Sequence, residues 1–245
     1  MKQTIILLLI CISALNSFAQ KLEKMPADLE TDFALSSLPP HLRNEATVYL
    51  LDPDKGYYAT RKGSNGFSCM VLRTEWEWEE FTDDCFTALS FDAEGSKTIV
   101  PVYLDVAAMR ASGKYTPSEI KSTVVKRVKD GTYKGPARTG ISYMLAPMMR
   151  SHPGTKEVVN MIMPHYMFYS QKLTDADIGG KYLNTSQPFI LQNDPALADY
   201  GIFNYIIVKA GEAEIAQIVK ENADLLRRLA EFRPALKLHD TTSHH

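Results

Sequence analysis

The chain has 245 residues, of which 45% are hydrophobic and 23% are charged, and its formal net charge at pH 7 is -2. These proportions are ordinary for a globular protein, and the length is compatible with one domain. The small and evenly mixed charge argues against a nucleic-acid-binding surface and against attraction to an anionic membrane, because both need a basic patch.

The first 19 residues have the pattern of a secretory signal peptide. Lys2 supplies a positive start, residues 5–15 are apolar, and Ser17 and Ala19 place small residues before a cleavage point after Ala19. The apolar stretch is shorter than the roughly 20 residues that cross a bilayer, which disfavours an uncleaved anchor. No later segment is apolar enough to span a membrane. We therefore expect an exported protein, periplasmic or extracellular, with no membrane span after signal removal.

Two cysteines, Cys69 and Cys85, remain when Cys11 leaves with the predicted signal peptide. Cysteines pair by default in an oxidising compartment, so we expect a disulfide between Cys69 and Cys85. Closing a loop of this size stabilises a fold by about 3 kcal/mol on the chain-entropy account. The loop between the cysteines is rich in Trp, Glu and Asp, and is predicted to be an exposed excursion at the end of a hairpin.

The first half of the chain is predicted to form a helix, three strands and two more helices. Residues 20–38 suggest a short helix that stops before the Pro39-Pro40 pair. Three β-rich runs separated by turns predict a meander, and they lie at residues 46–51, 57–62 and 67–73. An apolar face then predicts a helix over 100–112. The segment TPSEIKSTVVKRVKDG predicts another, with Thr116 as N-cap, Glu119 completing a capping box and Gly131 ending it.

The second half returns to strands and ends in a helix. The strand-like runs lie at residues 140–147, 164–170, 188–192 and 203–210. Helical spacing of apolar residues over 211–232 predicts an amphipathic C-terminal helix, which packs on the core or binds a partner. Strands, helices and strands without a βαβ repeat predict one α+β domain over 20–235, with mainly antiparallel short strands and two to four helices. Residues 236–245 are predicted to be a disordered, His-containing tail.

The common catalytic motifs are absent from the sequence. It has no P-loop, no dinucleotide-binding glycine pattern, no H-E-x-x-H, no G-x-S-x-G and no C-x-x-C pair. These absences argue against nucleotide chemistry and against the commonest zinc and serine hydrolases. We expect no cofactor.

The best catalytic candidate is His165, which begins the strand-like segment HYMFYS. Thiol peptidases that cleave cell walls have a similar arrangement, with the cysteine far upstream. Cys69 as nucleophile and Asp175 or Asp177 as the orienting acid would complete such a hydrolase. The predicted disulfide and the strand-like surroundings of Cys69 weigh against it. The favoured alternative is that His165 is a buried histidine bonded to a backbone carbonyl.

Two metal sites can be considered and neither is predicted. Asp175 and Asp177 in TDADIGG offer two carboxylates to a hard cation such as calcium, but acids in such loops more often bond the local backbone. His41, His152 and His165 are too widely spaced along the chain to indicate a shared site.

Trp76 and Trp78 are the candidate ligand-binding residues. They alternate with glutamates between the two cysteines, and an extended segment would place both rings on one face. Exposed tryptophan beside carboxylates can bind a sugar or a cation. The alternative is that both rings pack onto the sheet.

The chain resembles a group of uncharacterised secreted bacterial proteins through a set of short segments. They are NGFSC, a second cysteine followed by DAEG, SYML, PHYMFY, TDADIGG and a late P-F-I strand. N-G-[FW]-[ST]-C and P-H-x-M motifs recur in that group. The resemblance covers residues 45–210 and implies a shared framework that consists of Asn65, Gly66, Cys69, Cys85, His165 and Met167. It implies no activity, and the C-terminal helix lies outside it.

From these features we expect an exported, disulfide-braced α+β domain with a non-catalytic binding or accessory role in the cell envelope. The alternative is a hydrolase centred on His165, with Asp175 and Asp177 or with Cys69.

Overall fold

The computed structural model describes residues 22–82 and 84–238. The predicted signal peptide, residues 1–19, and the end of the predicted tail, residues 239–245, lie outside the described residues. In the part described, no helix has the length and apolar character needed to cross a membrane.

Ten β-strands form the framework of the described residues. They are β1 (Thr47–Asp52), β2 (Gly56–Arg61), β3 (Ser68–Leu72), β4 (Thr87–Phe91), β5 (Ile141–Met144), β6 (Met149–Ser151), β7 (Val159–Met161), β8 (His165–Tyr169), β9 (Phe189–Gln192) and β10 (Asn204–Lys209). Eight of them make one sheet in the order β2-β1-β3-β4-β5-β8-β10-β9, and β6 and β7 form a separate hairpin. Strands β1 and β3 are parallel, and the other neighbours in the sheet are antiparallel. The predicted α+β class with mainly antiparallel strands is confirmed.

Helices cover both faces of the sheet. They are α1 (Ala27–Ser36), α2 (Pro40–Arg43), α3 (Ala93–Thr98), α4 (Val100–Ala111), α5 (Pro117–Lys129), α6 (Asp175–Ile178), α7 (Glu212–Glu221) and α8 (Ala223–Phe232). Three short 3₁₀ helices lie at Trp76–Trp78, Pro195–Tyr200 and Pro234–Leu236. The prediction of two to four helices is wrong, because α2, α3 and α6 are too short to show a periodic pattern in the sequence and the predicted C-terminal helix is two helices.

The predicted meander of β1, β2 and β3 is also wrong. Strands β1 and β2 form the expected hairpin, but β3 pairs with the other edge of β1. The connection after β2 passes close beside the start of β1, where Gly63 donates its N–H to the Thr47 side chain over 3.0 Å. A Cβ on Gly63 would lie 2.0 Å from the carbonyl oxygen of Glu45, so this close passage requires glycine.

The sheet separates two hydrophobic cores. One face, which we call the α1 face, packs against α1 and α8, and its core includes Phe33, Cys69, Val71 and Leu229. The other, which we call the cavity face, packs against α4 and α5. Residues of each strand alternate between the two, because successive side chains on a strand point to opposite faces.

The helix α5 forms as its sequence predicts. Thr116 and Glu119 make the reciprocal capping box, in which the Thr116 N–H donates to Glu119 over 2.8 Å. Ile120, Val124 and Val128 form its buried stripe. Local side-chain chemistry fixes the start of this helix, and burial of one face holds it on the domain.

The predicted C-terminal helix is two helices, divided at Asn222, whose φ and ψ of -106° and 21° interrupt the helical path. Helix α8 buries Leu225 and Leu229, whereas α7 buries no residue fully. Leu236 is completely buried on the α1 face, so the ordered domain extends into the segment that was predicted to be a disordered tail.

The β6–β7 hairpin occupies a segment that the sequence presents as a loop. It is joined to the segment before β4 by two backbone hydrogen bonds between Phe86 and Arg150, of 2.8 and 2.9 Å. This attachment places the turn after β6, which carries His152, beside the cavity face of the sheet.

Candidate functional site

A cavity of about 490 Å³ lies between the cavity face of the sheet, the β6–β7 hairpin and the loops that precede β4 and β9. Strands β4, β5, β8, β9 and β10 supply its apolar floor, through residues such as Leu89, Phe189 and Ile207. Five methionines also line it, and they are Met144, Met149, Met161, Met163 and Met167. Methionine is unbranched and polarisable, so this lining adapts to ligands of different shape.

Polar groups converge at one end of the cavity. The Glu75 carboxylate, which follows β3, contacts the Nδ1 atom of His152 and the hydroxyl of Ser151. The Cys85 Sγ atom lies 3.9 Å from the same Nδ1 atom. Glu75, Cys85 and His152 are all buried, and we call them the polar cluster.

The polar cluster does not have the geometry of a thiol hydrolase. Burial raises the pKa of the Cys85 thiol, and the nearby Glu75 carboxylate raises it further, so the thiol stays protonated. In a Cys–His–acid triad the thiol and the acid contact different ring nitrogens. Here both approach Nδ1 of His152, and Nε2 has no hydrogen-bond partner among residues 22–82 and 84–238.

A second group of polar side chains lies on the adjoining wall. Asn193 donates to the Glu77 carboxylate over 2.9 Å, and the Lys121 ammonium lies 3.5 Å from the Asp194 carboxylate. Burial raises the pKa of Glu77 to about 8, and the neighbouring charge of Glu75 acts in the same direction. Glu77 is therefore largely protonated at neutral pH and can donate a hydrogen bond.

The two tryptophans occupy different environments. They belong to a 3₁₀ turn, so the predicted extended segment with both rings on one face is wrong. Trp76 is buried against Phe203, with ring centres 5.6 Å apart. Trp78 lines the cavity and stacks on the His152 ring. Of the two predicted ligand-binding residues, only Trp78 is placed where it can touch a ligand in the cavity.

The predicted disulfide between Cys69 and Cys85 is wrong. Both cysteines are free and fully buried. Cys69 pairs with Ser90 across β3 and β4, so Cys85 lies about five strand positions further along, or roughly 16 Å. A disulfide needs Cα atoms within about 7 Å. Cys69 also packs in the core of the α1 face, whereas Cys85 contacts His152 at the cavity.

The residues of the predicted hydrolase are not brought together. His165 lines the cavity, and its Nδ1 donates to the Met163 carbonyl oxygen over 2.6 Å. Burial lowers the pKa of His165, which keeps the ring neutral. Cys69 is on the opposite face of the sheet, and burial raises the pKa of its thiol to about 12.

Asp175 and Asp177 each accept a hydrogen bond from a backbone N–H group. Asp175 accepts the Ile190 N–H over 2.7 Å, and Asp177 accepts the N–H of Thr174 over 2.8 Å in a capping box of α6. His41 is exposed on α2, so it does not share the cavity with His152 and His165.

In comparisons with known proteins, no family model, no curated protein and no solved structure matches this chain. The resemblance to secreted bacterial proteins, and its shared framework, therefore stay a prediction.

The polar cluster was missed by the sequence analysis. In the sequence, Glu75 is one of the glutamates that alternate with Trp76 and Trp78, Cys85 is half of the predicted disulfide, and His152 is one of three widely spaced histidines. The available signal was weak: Ser151 and His152 precede a Pro-Gly turn between two apolar segments. Such turns often carry functional side chains at the rim of a rigid scaffold.

Proposed function

We propose that the protein binds a small, predominantly apolar molecule that carries one polar group, and that it does so as an exported, non-catalytic binding protein of the cell envelope. The observation that carries the binding proposal is the cavity, whose volume of about 490 Å³ lies within the range of small-molecule sites. The N-terminal sequence pattern supports export, and the buried, protonated state of both thiols supports a role without a cysteine nucleophile.

The distribution of polarity in the cavity indicates the chemistry of the ligand. Its floor and most of its walls are apolar, so the body of the ligand is expected to be hydrocarbon or aromatic. At one end, protonated Glu77 and Asn193 offer donors, while Glu75 offers an acceptor. A hydroxyl, amide or amine group can form a further hydrogen bond there, whereas a purely apolar ligand would cover these polar groups without adding one.

The experiment is a fluorescence titration with N-phenyl-1-naphthylamine, a neutral aromatic probe that carries one N–H group. We expect saturable binding to one site. Met161→Trp, on the β7 wall, fills part of the cavity and should weaken binding at least about tenfold, a loss of about 1.4 kcal/mol. The matched control is Ile162→Trp, a neighbouring, partly exposed position whose side chain does not line the cavity.

Equal binding by Met161→Trp and Ile162→Trp would contradict the proposal, because the probe would then bind elsewhere. A linear, unsaturable titration of the wild-type protein would contradict it as well. Export is tested separately by mass spectrometry of protein recovered from the envelope or medium, which should begin at Gln20.

A further inference from the structure

We infer that the polar cluster, Glu75, Cys85 and His152, is a binding site for a divalent transition-metal ion of the zinc class. One ligand atom from each residue, a carboxylate oxygen, a thiol sulfur and an imidazole nitrogen, lies within 4.8 Å of the other two. The three residues come from separate segments: the loop after β3, the segment before β4 and the turn after β6. This site is additional to the apolar binding proposed above and does not depend on it.

The spacing of the sulfur and nitrogen ligand atoms suits a tetrahedral ion. Zinc bonds of about 2.3 Å to sulfur and about 2.0 Å to nitrogen place those two ligands roughly 3.6 Å apart. The observed separation of Cys85 Sγ and His152 Nδ1 is 3.9 Å. The Glu75 carboxylate is closer to Nδ1 than two zinc ligands would be, because a proton joins them. The ion would take the place of that proton, and the carboxylate would move away from Nδ1 to the spacing of two zinc ligands.

The charges balance when the metal binds. Each bond to the ion is donated as a lone pair by sulfur, nitrogen or oxygen. The Cys85 S–H bond breaks, the proton passes to solvent and the thiolate coordinates, since a metal-bound thiol is deprotonated. The proton that joins Glu75 to Nδ1 of His152 moves to Nε2, so the ring stays neutral and Nδ1 offers its lone pair to the ion. No oxidant or reductant is needed.

The donor set selects the kind of metal. A thiolate with an imidazole and one carboxylate suits zinc and its borderline neighbours, whereas calcium and magnesium prefer oxygen ligands alone. Glu75 and His152 line the cavity, so the proposed ion would lie beside it. Three protein ligands with one open position are the arrangement of zinc sites that bind a small molecule or water.

Surrounding groups hold the ligands in place, as outer contacts do in metal sites. The Ser151 hydroxyl donates to Oε1 of Glu75 and leaves Oε2 for the ion. Arg73 donates to the carbonyl oxygen of Cys85 over 2.9 Å, which fixes the backbone of the sulfur ligand. Trp78 covers one face of the His152 ring.

The test is a titration of the metal-free full chain with Co²⁺, which substitutes for zinc and gives a thiolate-to-cobalt charge-transfer absorption when sulfur coordinates it. Cys11→Ser is included in every variant so that only Cys69 and Cys85 can contribute. We expect the absorption to saturate at one equivalent and to be displaced by Zn²⁺. Histidines of the tail can bind cobalt but cannot produce a thiolate absorption.

Cys85→Ser should abolish the absorption, and Cys69→Ser, the matched control on the opposite face of the sheet, should keep it. His152→Ala should weaken cobalt binding at least about tenfold while its circular dichroism remains native. No thiolate absorption in the wild-type protein, or an absorption that persists in Cys85→Ser, would overturn the inference. Met161→Trp should keep the cobalt absorption even where it loses the aromatic probe, so failure of one proposal is distinguishable from failure of the other.

Discussion

The indole of Trp78 is stacked on the imidazole of His152, with ring centres 4.7 Å apart and planes inclined by 21°. The stack forms part of the cavity wall at its polar end. It links the acidic loop between the two cysteines to the β6–β7 hairpin through two residues that lie 74 positions apart in the sequence. A ligand that reaches the polar end therefore contacts one of the only two tryptophans in the chain.

The first prediction is that ligand-dependent changes in intrinsic fluorescence come from Trp78. Trp78→Phe should lose most of the change in tryptophan emission on binding of an apolar ligand, and Trp76→Phe should keep it. Trp76 is 2% exposed and packs on Phe203, so its replacement should instead cost about 1–3 kcal/mol of unfolding free energy. Emission titrations and urea denaturation of both variants measure these effects. A response that survives in Trp78→Phe would place the ligand outside this cavity.

The second prediction concerns the thiols. Cys69 and Cys85 should both be alkylated by iodoacetamide in urea without reductant, and neither should react in the native protein, because both are fully buried. Intact-mass spectrometry counts the added groups. A protein that resists alkylation when unfolded, and gains two reactive thiols only after reduction, would restore the disulfide and contradict the strand register described here.

The third prediction is a pH dependence of stability that arises from Glu30. This side chain is 2% exposed, and burial raises its pKa to about 7 from an ordinary value of 4.5. The folded state therefore binds the proton more tightly than the unfolded state, so the stabilising effect of the protonated form is present below about pH 4.5 and is lost as the pH rises through 7. Glu30→Gln removes this loss and keeps an acceptor for the Leu51 N–H.

In urea denaturation, Glu30→Gln should be more stable than the wild type by about 2 to 3 kcal/mol at pH 8, and nearly equal to it at pH 4.5. The matched control is Glu157→Gln, an exposed acid, which should change stability little at either pH. A Glu30→Gln protein that is less stable at pH 8 would show that the charged form is the stabilised one.

The fourth prediction separates the two C-terminal helices. Leu229 of α8 is completely buried on the α1 face, so Leu229→Ala should cost about 2–5 kcal/mol of unfolding free energy. Ile215 of α7 is only partly buried, and Ile215→Ala should cost about 1 kcal/mol or less. Chemical denaturation measures both. Equal costs would mean that α7 packs on the domain as firmly as α8.

Helix-mediated partner binding stays a prediction, and it now concerns α7. The structure assigns α8 to the core, whereas α7 keeps its apolar side chains, such as Ile215 and Ile218, partly exposed. A change in oligomeric mass on replacement of these isoleucines would be the observation that supports it.

The features that the sequence predicted well depend on neighbours within a few residues. The capping box of Thr116 and Glu119 joins positions three apart, and the buried stripe of α5 repeats every three or four residues. Strands β5, β8, β9 and β10 likewise lie within the predicted β-rich runs, since their composition marks them locally. These patterns sufficed for the α+β class.

The features that could not be predicted from the sequence depend on the pairing of strands within the sheet. Strand β3 pairs in parallel with β1, which replaces the expected meander, and the register of β3 with β4 places Cys69 and Cys85 on opposite faces of the sheet. Glu75 and His152 meet across 77 positions of sequence, and Cys85 and His152 across 67. Composition and local spacing do not predict such long-range contacts. The free energy that selects these contacts comes from burying both faces of the sheet at once. The local sequence patterns thus predict the helices and strands, while the cavity and its polar cluster exist only once those elements have packed together.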